Sequence, residues 1–254
     1  MSVAARIDAV VVAVGDLSML SGRALIGLVT SPFEWRETLR QAERIGVRSL
    51  GVALVTTVFT GMVLALQTAY SLPSLGVKYY IGSVVSKSLT RELGPVLVAL
   101  IVGGRIGAGM AAELGTMKVT EQIDALRAMA TDPVRKLVVP RLAATLIMLP
   151  CLTILGDLVG ILGGLGVAVF QLRVSAGLYL NDVLTSLTLA DFLSGVGKAF
   201  FFGFFVAMAA CWNGLSTRGG ADGVGRSTTD TVVLSSILVL VSDFFLTKLF
   251  FLFE

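Results

Sequence analysis

The sequence contains no histidine, only two cysteines and few charged residues. Without histidine there can be neither an imidazole metal site nor a histidine proton relay. Cys151 and Cys211 lie in separate apolar segments without CxxC spacing, so they predict neither a disulfide framework nor a redox motif. Charged residues make up 15% of the chain, whereas an average soluble domain has about 25%. This shortage of charge argues against an ordinary soluble protein.

Apolar sequence is abundant instead. Hydrophobic residues make up 55% of the 254 positions, and the mean hydropathy is +0.88. Several uncharged runs approach or exceed the roughly 20 residues that a helix needs to cross the hydrocarbon core of a bilayer. The composition therefore predicts an all-α integral membrane protein.

We predict an N-terminal interfacial helix followed by five transmembrane helices. Residues 1–48 form interfacial and elbow helices in this prediction, and residues 49–254 form a single transmembrane domain. The predicted spans are residues 49–70, 84–112, 142–172, 192–215 and 231–251. The connection at 174–189 is predicted to be an outer loop, and 71–80 a loop or helix break. Five spans put the two termini on opposite sides of the membrane.

Basic residues orient these spans. Arg36, Arg40, Arg44 and Arg48 recur every four residues, which places them on one stripe of a helix. The connections at 113–141 and 216–230 are also basic, whereas those on the other side carry mainly Lys78 and Arg173. The positive-inside rule predicts a cytoplasmic N-terminus and a periplasmic C-terminus. We predict no nucleic-acid partner, because the chain offers no other basic soluble surface.

The stretch from 86 to 133 joins a glycine-rich span to a short polar segment, residues 120–129. Thr120 is predicted to cap a helix there, with Glu121 and Asp124 in its first turn, where the helix dipole favours anions. Asp132-Pro133 is predicted to end it, because the residue before proline disfavours helical geometry. We interpret the segment as a cytoplasmic coupling helix between spans two and three. An ordinary surface connector is the alternative.

Four ionisable residues lie within or at the edges of predicted spans. Because a charge in hydrocarbon costs at least about 2.5–3.5 kcal/mol on insertion scales, such residues usually face a partner or a wet cavity. Two cations and two anions could offset one another around a polar-headed ligand. Alternatively, some of them lie at the interface and extend their charges into water, or they form structural pairs. Arg105 and Asp157 are open to both interpretations. The four residues are Arg91, Glu92, Lys198 and Asp243.

A glycine-rich segment, GADGVGRS at 220–227, fits the phosphate-loop pattern except that Arg226 replaces its lysine. That loop normally follows a buried strand, whereas a membrane helix precedes this segment. We therefore predict a glycine-rich cytoplasmic turn rather than a nucleotide site.

Three segments together carry a family resemblance. SLTRELGPVLVALIVGGRIGAGMAAELGTMKVTEQIDAL, GLSTRGGADGVGRSTTDTVVLSS and the DFFLT that begins at Asp243 resemble the MlaE/YrbE permeases. These are membrane subunits of ABC transporters that work with MCE-domain proteins. The resemblance covers the chain from about residue 45.

The resemblance implies a non-enzymatic homodimeric permease in the bacterial inner membrane. A cytoplasmic ABC ATPase dimer would supply ATP and Mg, and this chain would hold no cofactor or metal. A periplasmic ring of MCE subunits, and in some systems a STAS-domain protein, would complete the assembly. The implied cargo is phospholipid, moved between inner and outer membranes to maintain outer-membrane lipid asymmetry. The ATPase would engage Thr120, Glu121, Asp124 and Arg127.

The resemblance also places a lipid cavity in the dimer. Arg91, Glu92, Lys198 and Asp243 match the family's polar cavity residues, and Leu64, Leu66 and Leu72 are expected in its apolar wall. Two alternatives remain at this point, a proton-coupled secondary transporter and a structural membrane anchor for the MCE ring.

Overall fold

Helices account for nearly all of the chain that the structure describes. The structure, a computed structural model, describes residues 3–30, 33–71 and 80–252. Over these ranges it contains α-helices and two π-helical turns and no strands, as predicted for an all-α protein. The α-helices are α1 (Val3–Val29), α2 (Trp35–Ser71), α3 (Ile81–Ser88), α4 (Gly94–Val119), α5 (Gln122–Ala128), α6 (Val139–Phe170), α7 (Ala176–Ser186), α8 (Leu189–Leu215) and α9 (Gly220–Leu252).

Six helical segments in the described ranges are long and apolar enough to cross a membrane. Five correspond to the predicted spans, and the sixth is Val11–Val29 within α1. Its apolar side chains pack on α6 and α8, and Ala24 is completely buried there. The interfacial placement of α1 stays a prediction.

The central element is a continuous helical segment made of α3, a π-helical turn and α4. The turn covers Leu89–Leu93, and the Gly94 N–H donates to the Leu89 carbonyl across it. An i→i+5 bond of this kind encloses one residue more than an α-helical bond. Beyond the turn, α4 packs against α2, α6, α8 and α9. The predicted second span is therefore the axis of the bundle.

α2 and α6 approach each other closely because glycines line their contact. A Cβ atom at Gly61 would lie 1.9 Å from the Gly160 carbonyl oxygen, and one at Gly163 would lie 2.7 Å from the Val58 carbonyl oxygen. Small residues of this kind let backbones of membrane helices meet and gain dispersion contacts. The glycines predicted to permit close packing in the third span thus face α2.

The prediction of a loop at 174–189 is wrong, because the segment contains α7. The placement of this segment on the outer side stays a prediction. Ser175 caps this helix by accepting a hydrogen bond from the Leu178 N–H. Tyr179 is buried, and its hydroxyl donates to the Ile161 carbonyl at 3.1 Å. Burial raises the pKa of Tyr179 above its usual 10.0. Asp182 also accepts from the Ser83 N–H at 2.6 Å, which ties α7 to α3.

The predicted turn at 220–227 is also wrong, because these residues form the first two turns of α9. The chain changes direction at the start of this segment, where Gly219 and Gly220 have φ angles of 86° and 69°. Only glycine adopts such angles readily. The other loop prediction, at 71–80, falls almost entirely on 72–79, outside the described residues.

The glycine contact between α2 and α6 predicts a large effect of one methyl group. Gly61→Ala should lower the free energy of unfolding by about 2 kcal/mol, because the new Cβ meets backbone that cannot move aside. Gly51→Ala on the same helix is the control, since a Cβ there has nothing within 4 Å. Thermal unfolding of both purified variants in detergent checks this. Equal stability of the two would contradict the packing.

Candidate functional site

Lys198 of α8 is completely buried, and its ammonium group contacts three side chains from other helical segments. Nζ lies 2.5 Å from Glu92 Oε2 and donates a hydrogen bond of 2.6 Å to Thr247 Oγ1. Asp243 Oδ1 lies 3.2 Å away as an ion pair without hydrogen-bond geometry. Thr247 Oγ1 in turn donates to Glu92 Oε1 at 3.3 Å. We call these four side chains the charge cluster.

Arg91 forms a neighbouring ion pair with a residue that the sequence reasoning did not select. Its Nη1 lies 2.8 Å from Asp191 Oδ1, and Asp191 is only 2% exposed. The guanidinium also lies over the Phe251 ring, 4.9 Å from the centroid. Of the four predicted residues, Glu92 and Asp243 therefore meet Lys198, whereas Arg91 pairs with Asp191 beside the charge cluster.

The helical repeat explains why Arg91 and Glu92 contact the same two helices, α8 and α9. Glu92 and Arg91 are adjacent in the π-helical turn, and each meets one residue of α8 and one of α9. On α8, Asp191 and Lys198 are seven residues apart, which is two turns on the same face. On α9, Asp243, Thr247 and Phe251 are spaced by four and share a face. The turn that carries Arg91 and Glu92 thus contacts matching stripes of both helices.

An open groove with a volume of 490 Å³ lies beside the charge cluster. It has a polar part and an apolar part, both contributed largely by α9. Glu92 and Asp243 remain 38% and 23% exposed, so their carboxylates are accessible from outside the chain. The lining residues are Glu92, Asp243, Thr247 and Lys248 on the polar side and Leu240, Phe244 and Phe251 on the apolar side.

The predicted apolar wall lies elsewhere in the described part of this chain. Leu64 and Leu66 are half-buried on α2 and pack against an apolar cluster that contains Ala65, Val85 and Tyr179. Neither is among the residues that line the groove. Leu72 falls outside the described residues. The role of these leucines in a cavity stays a prediction.

The segment 120–129 forms a short helix, but its start differs from the prediction. Thr120 is not the N-cap, because its hydroxyl donates back to the Thr116 carbonyl at 2.8 Å. Glu121 occupies the N-cap position with a left-handed φ of 61°, which turns the chain sharply after α4. Thr120, Glu121, Asp124 and Arg127 are all exposed, whereas Ile123 is completely buried. Ile123, with the half-buried Leu126 beside it, therefore holds this polar surface against the bundle.

Asp132 has a different role from the predicted one. α5 ends at Ala128, before Asp132-Pro133, and Ala130 has a left-handed φ of 56°. The Asp132 carboxylate then accepts the Val134 N–H at 2.9 Å and so begins the next helical segment.

Asp124 is the electrostatic centre of the exposed surface on α5. Its carboxylate accepts hydrogen bonds from Lys118 at 3.0 Å and Arg127 at 3.2 Å. The hydrogen bond from Lys118, with the charges of Lys118 and Arg127, holds the pKa of Asp124 below its usual 3.8 although desolvation acts in the opposite direction. A lowered carboxyl pKa means that these ion pairs are complete at neutral pH and are lost only as the pH falls through that pKa.

Arg105 and Asp157, the two undecided residues, lie outside the charge cluster. Arg105 Nη1 donates to the Arg48 carbonyl and to Ser49 Oγ at 3.0 Å. Asp157 is buried where α6 meets the start of α4, and a Cβ at Gly94 would lie 1.7 Å from its Oδ1.

Asp191 and Thr247 are the site residues that sequence reasoning missed. Thr188 and Asp191 form a capping box at the start of α8, a pattern that sequence alone can suggest. The seven-residue spacing from Asp191 to Lys198 also predicts a shared helix face. Nothing in the sequence shows that Arg91 reaches that face.

Fold and site together define a class, a multi-pass all-helical membrane protein in which a buried lysine pairs with two carboxylates beside an open groove. A family model described as "Permease MlaE" matches residues 38–249. The chain belongs to this family of permeases, which confirms the resemblance seen in the sequence.

Relatives from three lineages support the assignment. A "Probable ABC transporter permease protein" of Rickettsia typhi is 44% identical over 94% of this chain and 92% of its own length. Another with this description, from Synechocystis, is 43% identical over 91% of this chain and 88% of its own length. The Arabidopsis thaliana "Protein TRIGALACTOSYLDIACYLGLYCEROL 1, chloroplastic" is 36% identical over 93% of this chain and 67% of its own length. The chain is thus a permease subunit.

The charge cluster predicts a strongly non-additive pair of substitutions. Glu92→Gln and Asp243→Asn each leave Lys198 with one carboxylate, whereas the double variant leaves a buried ammonium with none. The double variant should lose about 3–5 kcal/mol of unfolding free energy, more than the two single losses added. A double-mutant cycle measured by thermal unfolding in detergent checks this.

Glu34→Gln is the control, because both members of its pair with Lys136 are exposed. That substitution should cost less than about 1 kcal/mol. Additive, similarly small effects at Glu92 and Asp243 would show that Lys198 does not depend on them.

Proposed function

We propose that this permease carries phospholipid between the inner and outer membranes and so maintains outer-membrane lipid asymmetry. The observation that carries the proposal is the groove, in which one side is charged and the other is aromatic and aliphatic. An amphiphile with a charged head and long apolar chains is complementary to both sides. The name of the Arabidopsis relative refers to a glycerolipid, which agrees with a lipid cargo.

The polarity of the groove suggests how a lipid would be held. Lys248 and the partly exposed carboxylates of Glu92 and Asp243 would meet a zwitterionic headgroup through opposite charges. Leu240, Phe244 and Phe251 would contact the acyl chains. Arg91 would position Phe251 at this wall through the cation–π contact.

A homodimer would enclose this site. In one chain the groove is open, and α9 has an exposed apolar face beside it that includes Ile237, Val241 and Phe245. A second copy placed against α9 would complete the wall and bring two charge clusters near one axis. The two facing grooves, each of 490 Å³, would together enclose a cavity large enough for a lipid.

The energy for transport would come from a separate subunit. An ABC transporter permease works with an ATPase, and we propose that an ATPase dimer contacts α5 from the cytoplasm. This orientation follows the positive-inside rule, with the N-terminus cytoplasmic and the C-terminus periplasmic in the inner membrane. An MCE ring on the periplasmic side, with or without a STAS-domain protein, would receive or deliver the lipid.

Transport in proteoliposomes that contain the complete native complex tests the cargo assignment. Lys198→Met should reduce ATP-dependent transfer of a labelled phospholipid at least tenfold, because Glu92 and Asp243 then lose the cation that holds them together. Lys136→Gln is the control, since its ion pair with Glu34 is exposed and distant in the fold from the groove. Unchanged transfer by an assembled Lys198→Met complex would refute the role of the cluster. Transfer driven by a proton gradient without ATPase would favour the secondary-transporter alternative.

A second experiment tests the contact with the ATPase. Glu121→Lys combined with Asp124→Lys reverses both exposed acids at α5 and should abolish co-purification of the ATPase and ATP-driven transfer. Asp222→Lys combined with Asp230→Lys makes the same charge change at exposed positions of α9 and should leave both intact. Normal co-purification of the ATPase with the α5 variant would show that the ATPase does not depend on these residues of α5.

A further inference from the structure

A second cleft lies between α2 and the part of α4 that follows residue 104, beyond the π-helical turn. It has a volume of 230 Å³ and includes part of the predicted arginine stripe. Arg105 follows Glu92 by 13 residues, which is about 20 Å along a helix, so the cleft is remote from the charge cluster. Its polar lining residues are Gln41, Arg44, Arg48, Ser49, Arg105 and Glu113.

Positive charge exceeds negative charge in this cleft. Three arginines line it against a single carboxylate, Glu113. That carboxylate is already shared, because it pairs with Arg44 at 2.6 Å and with the buried Arg141 at 3.0 Å. In the described part of the chain, neither Arg48 nor Arg105 forms an ion pair with a carboxylate. The cleft therefore retains two guanidinium charges without an anion.

Arg105 is oriented even though it is not neutralised. Its Nη1 donates to the Arg48 carbonyl and to Ser49 Oγ, and Ser49 is completely buried. These acceptors are uncharged, so they fix the guanidinium without cancelling its charge. A guanidinium held in this way presents its remaining N–H groups in a fixed fork, the arrangement that matches phosphate oxygens.

The rest of the cleft is apolar and has space. Ile45, Ile106 and Met110 form a buried floor beneath the arginines. Gly109 also lines the cleft, and a Cβ atom placed there would have nothing within 4 Å. An anionic group joined to an apolar one would be complementary to both features.

We propose that this cleft is a binding site for a phosphate group, carried either by an anionic phospholipid or by a soluble phosphate compound. The phosphate oxygens would contact Arg48 and Arg105, and any attached apolar group would lie toward Ile106 and Met110. The proposal does not depend on the lipid cargo proposed above, because it concerns other residues at another level of α4.

Paired double variants of the full chain test the proposal. Arg48→Gln with Arg105→Gln removes the two arginines without carboxylate partners, and Arg36→Gln with Arg40→Gln removes the same charge from the stripe outside the cleft. Native mass spectrometry with added phosphatidylglycerol should show at least tenfold less retained lipid for the first pair only, the loss expected for one charge-assisted contact. Equal losses of lipid in both pairs would overturn the site, whereas equal retention would exclude a lipid headgroup as its ligand.

A third variant tests the cleft without changing its charge. Gly109→Leu should fill the space and reduce lipid retention to the level of the first pair, while helix propensity at this position improves. Normal retention by Gly109→Leu would place the phosphate elsewhere and contradict the proposal.

Inorganic phosphate distinguishes the two sources. Protection of the wild-type chain from thermal unfolding by phosphate, lost in Arg48→Gln with Arg105→Gln, would support a soluble ligand. Retention of phosphatidylglycerol without any effect of phosphate would support a lipid headgroup. If neither probe distinguished wild type from this pair, the site would be refuted. Gel filtration of each variant confirms that it is folded.

Discussion

A lysine ammonium group with no exposed surface imposes the strongest constraint on this bundle. The buried ammonium of Lys198 is stabilised by Glu92 and Asp243, and these residues belong to different helical segments. The π-helical turn, α8 and α9 are therefore held together by one cation as well as by packing. A buried charge without a partner is costly in hydrocarbon, so these three segments must stay next to one another in the bundle.

α4 connects the features of the protein that carry charge. At one end it continues from the turn that bears Arg91 and Glu92, in its middle it presents Arg105, and at the other end it leads into α5 through the left-handed Glu121. Its buried positions contact four other membrane-length helices.

The membrane class and the grouping of Glu92, Lys198 and Asp243 follow from the sequence, because buried charges in apolar segments must find partners. Asp191 could have been suspected from its capping box and its spacing to Lys198. The structure of α7 and the start of α9 were mispredicted, since polar or glycine-rich composition indicates exposure more reliably than it indicates loops. Thr120 failed as a cap because its hydroxyl can bond to the previous turn, which composition does not reveal.

The π-helical turn at Leu89–Leu93 sets the rotation of α3 relative to α4. An α-helix rotates about 100° per residue, so a one-residue deletion in the turn would rotate α3 by that angle relative to α4. The contact of α3 with Asp182 on α7 would then be lost, although the helix itself could remain unbroken. A substitution here changes individual contacts, whereas an insertion or deletion rotates the whole of α3 relative to α4. This segment should therefore accept changes of residue far more readily than changes of length.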